Sequence, residues 1–254
     1  MPTPRRPPME TTLQRRRRAG KILAELHRLY PGATCALHHE SPFQLLIATI
    51  LSAQSTDVGV NKVTPVLFRK YPTPLQLSEA PPSEVEDIIH ATGFFRQKTK
   101  SIQAAAGSIV ERFGGKVPEK MDDLLTLRGV ARKTANVVLG TAFGKNEGVV
   151  VDTHVGRLAI RLELVSTATD AKDAIKIEAD LMDLIPRDEW TFTSHALIQH
   201  GRQVCVARNP RCVECTLNKL CPSALLPAAR SASTRLGGRN PAPKRKSKAS
   251  QSDR

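Results

Sequence analysis

Four of the five cysteines fall in one short segment, Cys205, Cys212, Cys215 and Cys221, spaced C-x6-C-x2-C-x5-C and followed by Pro222. Soft thiolates at this spacing can wrap one metal centre, because loops of this size close at little entropic cost. Buried core thiols or two disulfides fit less well. The segment is studded with Arg208, Pro210, Arg211 and Asn218, and the chain is expected to lack an export signal. Zinc and a four-iron cluster both remain open. Zinc sites usually split into two C-x2-4-C pairs, and only one close pair exists here, which tilts the reading toward iron–sulfur. Cys35, far upstream beside an apolar helix, reads as a small core residue.

A second constellation is Leu127-Arg128-Gly129-Val130-Ala131-Arg132-Lys133. A short helix ends, a glycine-containing turn follows, and a second helix opens with free backbone N–H groups, which makes an anion site. A purely structural turn is the commoner origin of such a join. Lys133 shifts the balance, because cations normally sit at the other end of a helix. The helix dipole, Arg128 and Arg132 are all expected to disfavour its ammonium form, as a nucleophilic amine requires. Downstream, Val149-Val150-Val151-Asp152-Thr153-His154 ends an apolar run in a carboxylate. Asp152 can cap the next helix or handle a proton for the lysine.

The elements that must position these residues read as helices almost throughout. Leu23, Leu26 and Leu29 give a first helix over about 18–30, stopped by Pro31-Gly32. The segment FQLLIATILSAQ is apolar nearly all round and predicts a buried central helix. Thr56 or Asp57 can cap VGVNKVTPVLFRKY, in which Pro65 is expected to kink or break the helix. Further helices follow over SEVEDIIHATG, QKTKSIQAAAGSIVERFG, PEKMDDLLTL and RKTANVVLGTAFG, then THVGRLAIRLEL, AKDAIKIEADLMDLI and DEWTFTSHALIQHGRQVC. The run GVVVD stands alone without a pairing partner and is read as an extended connector. The fold class is therefore all-α, with roughly ten helices. His38-His39-Glu40 reads as a capping loop, and Trp190 and Phe192 as anchors of a core helix.

The chain has 254 residues, 40% apolar and 24% charged, with 38 Lys plus Arg against 24 Asp plus Glu and a formal net charge of +14. No apolar run approaches a membrane span, so the sequence is expected to be soluble, intracellular and not membrane-bound. Residues 1–21 carry seven basic residues against one acidic, and residues 223–254 carry eight against one. We expect disordered basic tails over 1–18 and 223–254, able to release counterions from a polyanion or simply to solubilise the chain. The body is nearly neutral but polarised, which suits a polyanionic partner.

Together these residues resemble the endonuclease III family of helix–hairpin–helix DNA glycosylases/lyases. The resemblance rests on SPFQLLIATILSAQSTDVGVNK (41–62), LRGVARKTANVVLGTAFG (127–144), VDTHVGR (151–157) and the four-cysteine spacing, in order, over about residues 20–222. It implies two all-α domains with a DNA cleft between them. A six-helix domain would span 35–145; a cluster domain would combine the first helix (19–34) with 146–222 and hold a [4Fe–4S] cluster on Cys205, Cys212, Cys215 and Cys221. The implied activity removes oxidised pyrimidines from damaged double-stranded DNA, with Lys133 as nucleophile and Asp152 as its assisting carboxylate, and then cuts the strand 3′ to the abasic site by β-elimination. The resemblance places Gln54 in the gap left by the flipped base and Phe94 as a second wedge. It assigns the backbone of Gly129, Val130 and Ala131 to a phosphate, with Arg132, Arg208 and Arg211 as further DNA contacts. A monomer acting in the cytoplasm at the nucleoid is expected.

The hairpin departs from the family's L-P-G-V-G at Arg128 and Ala131. Losing the proline removes a preset φ, and alanine does not readily adopt φ > 0, which predicts a looser turn. Phe95 and Arg96 stand where the family commonly has Tyr and Asn, which bears on substrate preference. The related mismatch adenine glycosylase needs a carboxylate where this chain has Ala48 and lacks the hairpin lysine, so that reading is disfavoured. A non-catalytic DNA-binding module is the rival from another class.

Overall fold

The structure, a computed structural model, describes residues 10–225. The expected tails lie outside these residues except for 10–18 and 223–225. Among the described residues the chain is all helical, with eleven α-helices, three short 3-10 turns and no strand. None of these helices is long and apolar enough to cross a membrane.

The helices are α1 (Thr12–Leu29), α2 (Pro42–Leu51), α3 (Asp57–Lys70), α4 (Pro74–Glu79), α5 (Pro82–Ile89), α6 (Phe95–Phe113), α7 (Met121–Leu125), α8 (Arg132–Phe143), α9 (Thr153–Arg161), α10 (Ala174–Leu184) and α11 (Trp190–Gln203). Residues 35–145 therefore carry seven helices rather than six. The additional one is α4, announced by Thr73 as a cap and Pro74 at the first helical position.

Helix α1 begins upstream of the expected start, which corrects the tail assigned to 1–18. Thr11 and Gln14 form a reciprocal capping box. Arg18, which looked like part of a solvated run, pairs with Glu10 at 2.7 Å and donates to the carbonyls of Leu162, Glu163 and Leu220. Pro65 neither breaks nor ends α3, which runs unbroken to Lys70 under a Thr56 cap. A proline costs the helix one hydrogen bond, and burial of Val60, Val63, Leu67 and Phe68 around it offsets that loss.

Two apolar cores organise the molecule, as two domains. The first is built on α2, whose residues from Leu45 to Leu51 are all buried, and which packs against α6 and α8. The second gathers α1, α9, α10 and α11. Trp190 is buried there and donates its indole N–H to the Ile185 carbonyl at 2.9 Å, while Phe192 stacks on His27 at 3.7 Å. His39 contacts the Leu37 carbonyl and the His38 N–H meets Asn61, consistent with a capping loop. The extended residues 149–151 pass between the two cores. Val150 packs into the first and Val149 and Val151 into the second, as the period-two alternation of an extended chain requires. The Val150 N–H is held by the Ser194 hydroxyl at 2.9 Å. This connector delivers Asp152 to the gap between the domains.

Candidate active site and cysteine pocket

The hairpin joins α7 to α8. Leu127 and Val130 are buried and anchor it in the first core. Gly129 has φ +84°, and a Cβ there would lie 3.1 Å from Ser101 Cβ and 3.2 Å from Ile50 Cγ2, so both backbone conformation and space demand glycine. Ala131 has φ −101° and ψ 170° and needs no left-handed backbone; the expected loosening from alanine at this position therefore does not arise. One expected phosphate donor is corrected: the Val130 N–H closes the turn onto the Leu127 carbonyl at 3.1 Å. The first turn of α8 has no side-chain cap, so its N–H groups, starting near Ala131, face outward for an anion.

Lys133 lies in that first turn, exposed, and lines two adjoining cavities of about 340 and 960 Å³. Asp152 lines both as well. Its two possible fates coexist. Oδ1 accepts from the backbone N–H groups of His154 and Val155, both at 2.8 Å, capping α9. Both capping bonds fall on that one oxygen, which leaves the rest of the carboxylate to the cleft. Arg132, expected as a DNA contact, is committed instead to the buried Glu178 of α10, with Nε 3.0 Å from its carboxylate. Arg132 thereby ties the hairpin helix to the second domain.

Sequence reasoning missed three groups at this cleft and its rim. Arg202 of α11 crosses to Asp57 at the start of α3 at 2.6 Å, and both line the two cavities. His195 lines the smaller cavity with Cys35, Lys133 and Asp152. Burial first, and then Arg202, hold its pKa down at about 4, so the ring is neutral. Cys35 is half-buried against the first core, and burial pushes its thiol pKa up, in keeping with an unreactive packing residue. The third group is Lys98, buried in the first turn of α6. The only sequence signal for His195 and Arg202 is their spacing on α11, two turns apart, on the face that reaches the cleft.

Gln54 and Phe94 are both exposed, and both have left-handed backbone, at φ 54° and φ 47°. Such conformations are uncommon for non-glycine residues and concentrate at functional sites. Ala48, by contrast, is buried inside α2, so that position offers no carboxylate.

All four clustered cysteines are free thiols and line one small pocket of about 30 Å³. Among the described residues no three His, Cys, Asp or Glu side chains converge closely enough to hold a single metal ion. Arg161 donates to Cys205 Sγ at 3.3 Å and to the Val206 carbonyl at 2.8 Å. His200, neutral because burial lowers its pKa to about 4, lies with Nε2 3.5 Å from Cys215 Sγ and Nδ1 3.0 Å from the Tyr30 hydroxyl. Arg208 and Arg211 are exposed on the same loop, with Arg211 also lining the pocket.

The model of the HhH-GPD superfamily of base excision DNA repair proteins matches residues 47–187, and the chain belongs to that family. It is similar to Endonuclease III of Synechocystis sp., 58% identical over 210 residues that cover 83% of this chain and 94% of that protein. Among solved structures it is similar to a non-covalent Endonuclease III–DNA complex, with a TM-score of 0.77 and 41% identity, covering 85% of this chain and 97% of that one. A trapped Endonuclease III–DNA covalent intermediate, the estranged-adenine complex, matches with a TM-score of 0.76 and 41% identity, over 85% and 98% of the two chains.

Proposed function

We infer that this protein is a base-excision DNA glycosylase and abasic-site lyase acting on oxidised pyrimidines in duplex DNA. One observation carries the reading: Lys133, on the first turn of α8, and Asp152, capping α9 from the other domain, line the same two cavities. The damaged nucleotide is flipped out of the stack into that space. The free amine of Lys133 attacks C1′ of the deoxyribose, and the base departs with the C1′–N bond electrons. Loss of a nitrogen proton and opening of the sugar leave a Schiff base on Nζ. Removal of a C2′ proton then expels the 3′ phosphate, cutting the strand, and water releases the lysine. Asp152 accepts the proton or stabilises positive charge on the sugar. The exposed N–H groups of the hairpin turn and first turn of α8 hold a phosphate and fix register without reading sequence. Gln54 and Phe94 occupy the space vacated in the duplex, and Arg208 and Arg211 meet phosphates farther along.

For the thiol pocket we propose a [4Fe–4S] cluster on Cys205, Cys212, Cys215 and Cys221. All four thiols line one pocket, and their spacing has only one close C-x2-4-C pair where zinc sites usually have two. Arg161 and Arg211 offset the negative charge that such a centre brings. When bound, the cluster orders the basic loop and does no chemistry on the sugar. We place the domain boundary at residues 145/146, with α1 and the chain up to residue 34 joined to the second domain, and take the enzyme to act as a monomer at the cytoplasmic nucleoid.

The test is incubation with an abasic-site duplex in the presence of a hydride reductant. The parent protein is expected to give a covalent protein–DNA adduct that is lost in Lys133→Ala while duplex binding remains. Nicking by Lys133→Ala at the parent rate would overturn the reading. A lesion panel then ranks the bases; the purified protein is expected to be yellow-brown and to contain iron, and a colourless zinc-containing sample would exclude the cluster.

A further inference from the structure

Lys98 is a charged residue that the chemistry above leaves unused. It sits in the first turn of α6 and is only 5% exposed. Its Nζ donates to the Ser55 hydroxyl and to the Thr92 carbonyl, both at 2.7 Å. The Ser55 hydroxyl in turn donates to that same carbonyl. Three groups therefore close a triangle between the loop after α2 and the loop before α6. Burial alone pushes the lysine's pKa down, and a polar group buried at such cost is worth its place only when it fixes something.

What it can fix is adjacent. Gln54, at φ 54°, immediately precedes Ser55. Gly93, at φ 68°, and Phe94, at φ 47°, immediately follow Thr92. Left-handed backbone at non-glycine residues persists only where the surroundings over-determine it. Phe94 is 68% exposed and Gln54 is also exposed, so neither is held in place by its own packing. The geometry points to Lys98 as a positioning residue: it clamps the Gln54 and Phe94 loops to each other, so that the two side chains enter the duplex as one unit. This clamp rests on the reading of those two residues as wedges.

The probe is a duplex bearing a tetrahydrofuran abasic analogue, which cannot form a Schiff base, with 2-aminopurine opposite it. Wedge insertion unstacks that base and raises its fluorescence on binding. Lys98→Met keeps chain length and removes the donors. Ser55→Ala keeps the buried lysine and breaks one side of the triangle, so it decides the matter even where Lys98→Met does not fold. Both variants are expected to bind the duplex by anisotropy yet lose most of the fluorescence rise. Excision of an oxidised pyrimidine should fall about 10-fold or more, the scale of a small misplacement, with nicking of a preformed abasic site at the parent rate. A parent-sized rise in either folded variant overturns the clamp. So does an equal proportional loss of excision and nicking, which marks a merely loosened fold. A parent protein that gives the rise but neither excises nor nicks overturns the enzyme reading alone, and the fluorescence comparison still decides the clamp.

Discussion

Arg202 Nη2 lies 2.6 Å from Asp57 Oδ2, an ion pair that spans the gap between the two domains along the walls of both cavities. The arginine is 44% and the aspartate 24% exposed, so the pair contributes at most about 1 kcal/mol to folding. Its larger effect is on the field in the cleft. Asp57→Asn releases a cation and removes a charge that repels phosphate. We expect it to tighten duplex binding and to steepen the dependence of log affinity on log salt by up to about one. Arg202→Ala should shift both in the opposite direction. Salt titrations of binding measure this, and identical slopes in all three proteins would refute it.

Asp152 has two roles that substitution can separate. Asparagine caps helices about as well as aspartate, so Asp152→Asn should keep thermal stability while losing activity, because its amide is neither a base nor an anion. Asp152→Ala should lose the activity and, in addition, about 1 kcal/mol of stability with its cap. Calorimetry alongside excision rates gives both quantities. An Asp152→Asn protein with parent activity would confine the residue to capping.

His195 carries a pH signature. Its folded-state pKa is depressed to about 4, chiefly by burial and then by Arg202, with Asp152 and Asp57 pulling the other way. The unfolded chain takes up a proton near the ordinary value while the folded one does not. The contribution is therefore fully present above about pH 6.5 and is lost as the pH falls toward about 4. We expect a loss on the order of 1–3 kcal/mol across that window beyond the loss in His195→Gln, whose amide can still meet the Thr141 hydroxyl now 3.3 Å from Nε2. Urea unfolding at a series of pH values checks it; parallel curves for the two proteins would count against it.

Gly129→Ala should be costly on two counts, backbone conformation and space. Alanine would be forced to φ +84° and pressed to 3.1 Å from Ser101 Cβ. The expected cost is about 1–3 kcal/mol, with weaker binding to undamaged duplex because the turn shifts the exposed N–H groups. Gly20→Ala, whose added methyl meets nothing within 4 Å, is the matched control. Equal stability of the two variants would contradict the geometry.

The sequence was most informative where the physics is local. Apolar spacing found every α-helix but the short α4, and α2 read as central because it is apolar all round. The cysteine spacing and the order of hairpin, lysine and aspartate carried the family resemblance. The misses are of two kinds. Some local signals were overridden by composition: Thr11 and Gln14 form a capping box, but the arginine run behind them looked like a solvated tail. Others had no local signal at all. Arg132 meets Glu178 from 46 residues away, and Lys98 meets Ser55 from 43 away. Charge type alone gives no warning that the first is spent on an interdomain pair and the second buried. Left-handed backbone at Gln54 is likewise invisible, because the tertiary surroundings impose it rather than the residue.

The three valines at 149–151 make the molecule hard to divide. Expressed as separate fragments, whichever half kept Val150 would leave a hole in one core or carry greasy surplus from the other. A cut on either side strands a side chain among the wrong neighbours. The two lobes are thus sewn through a single thread, and a one-residue deletion there would turn each valine inside out while pulling the carboxylate beyond it off its mark.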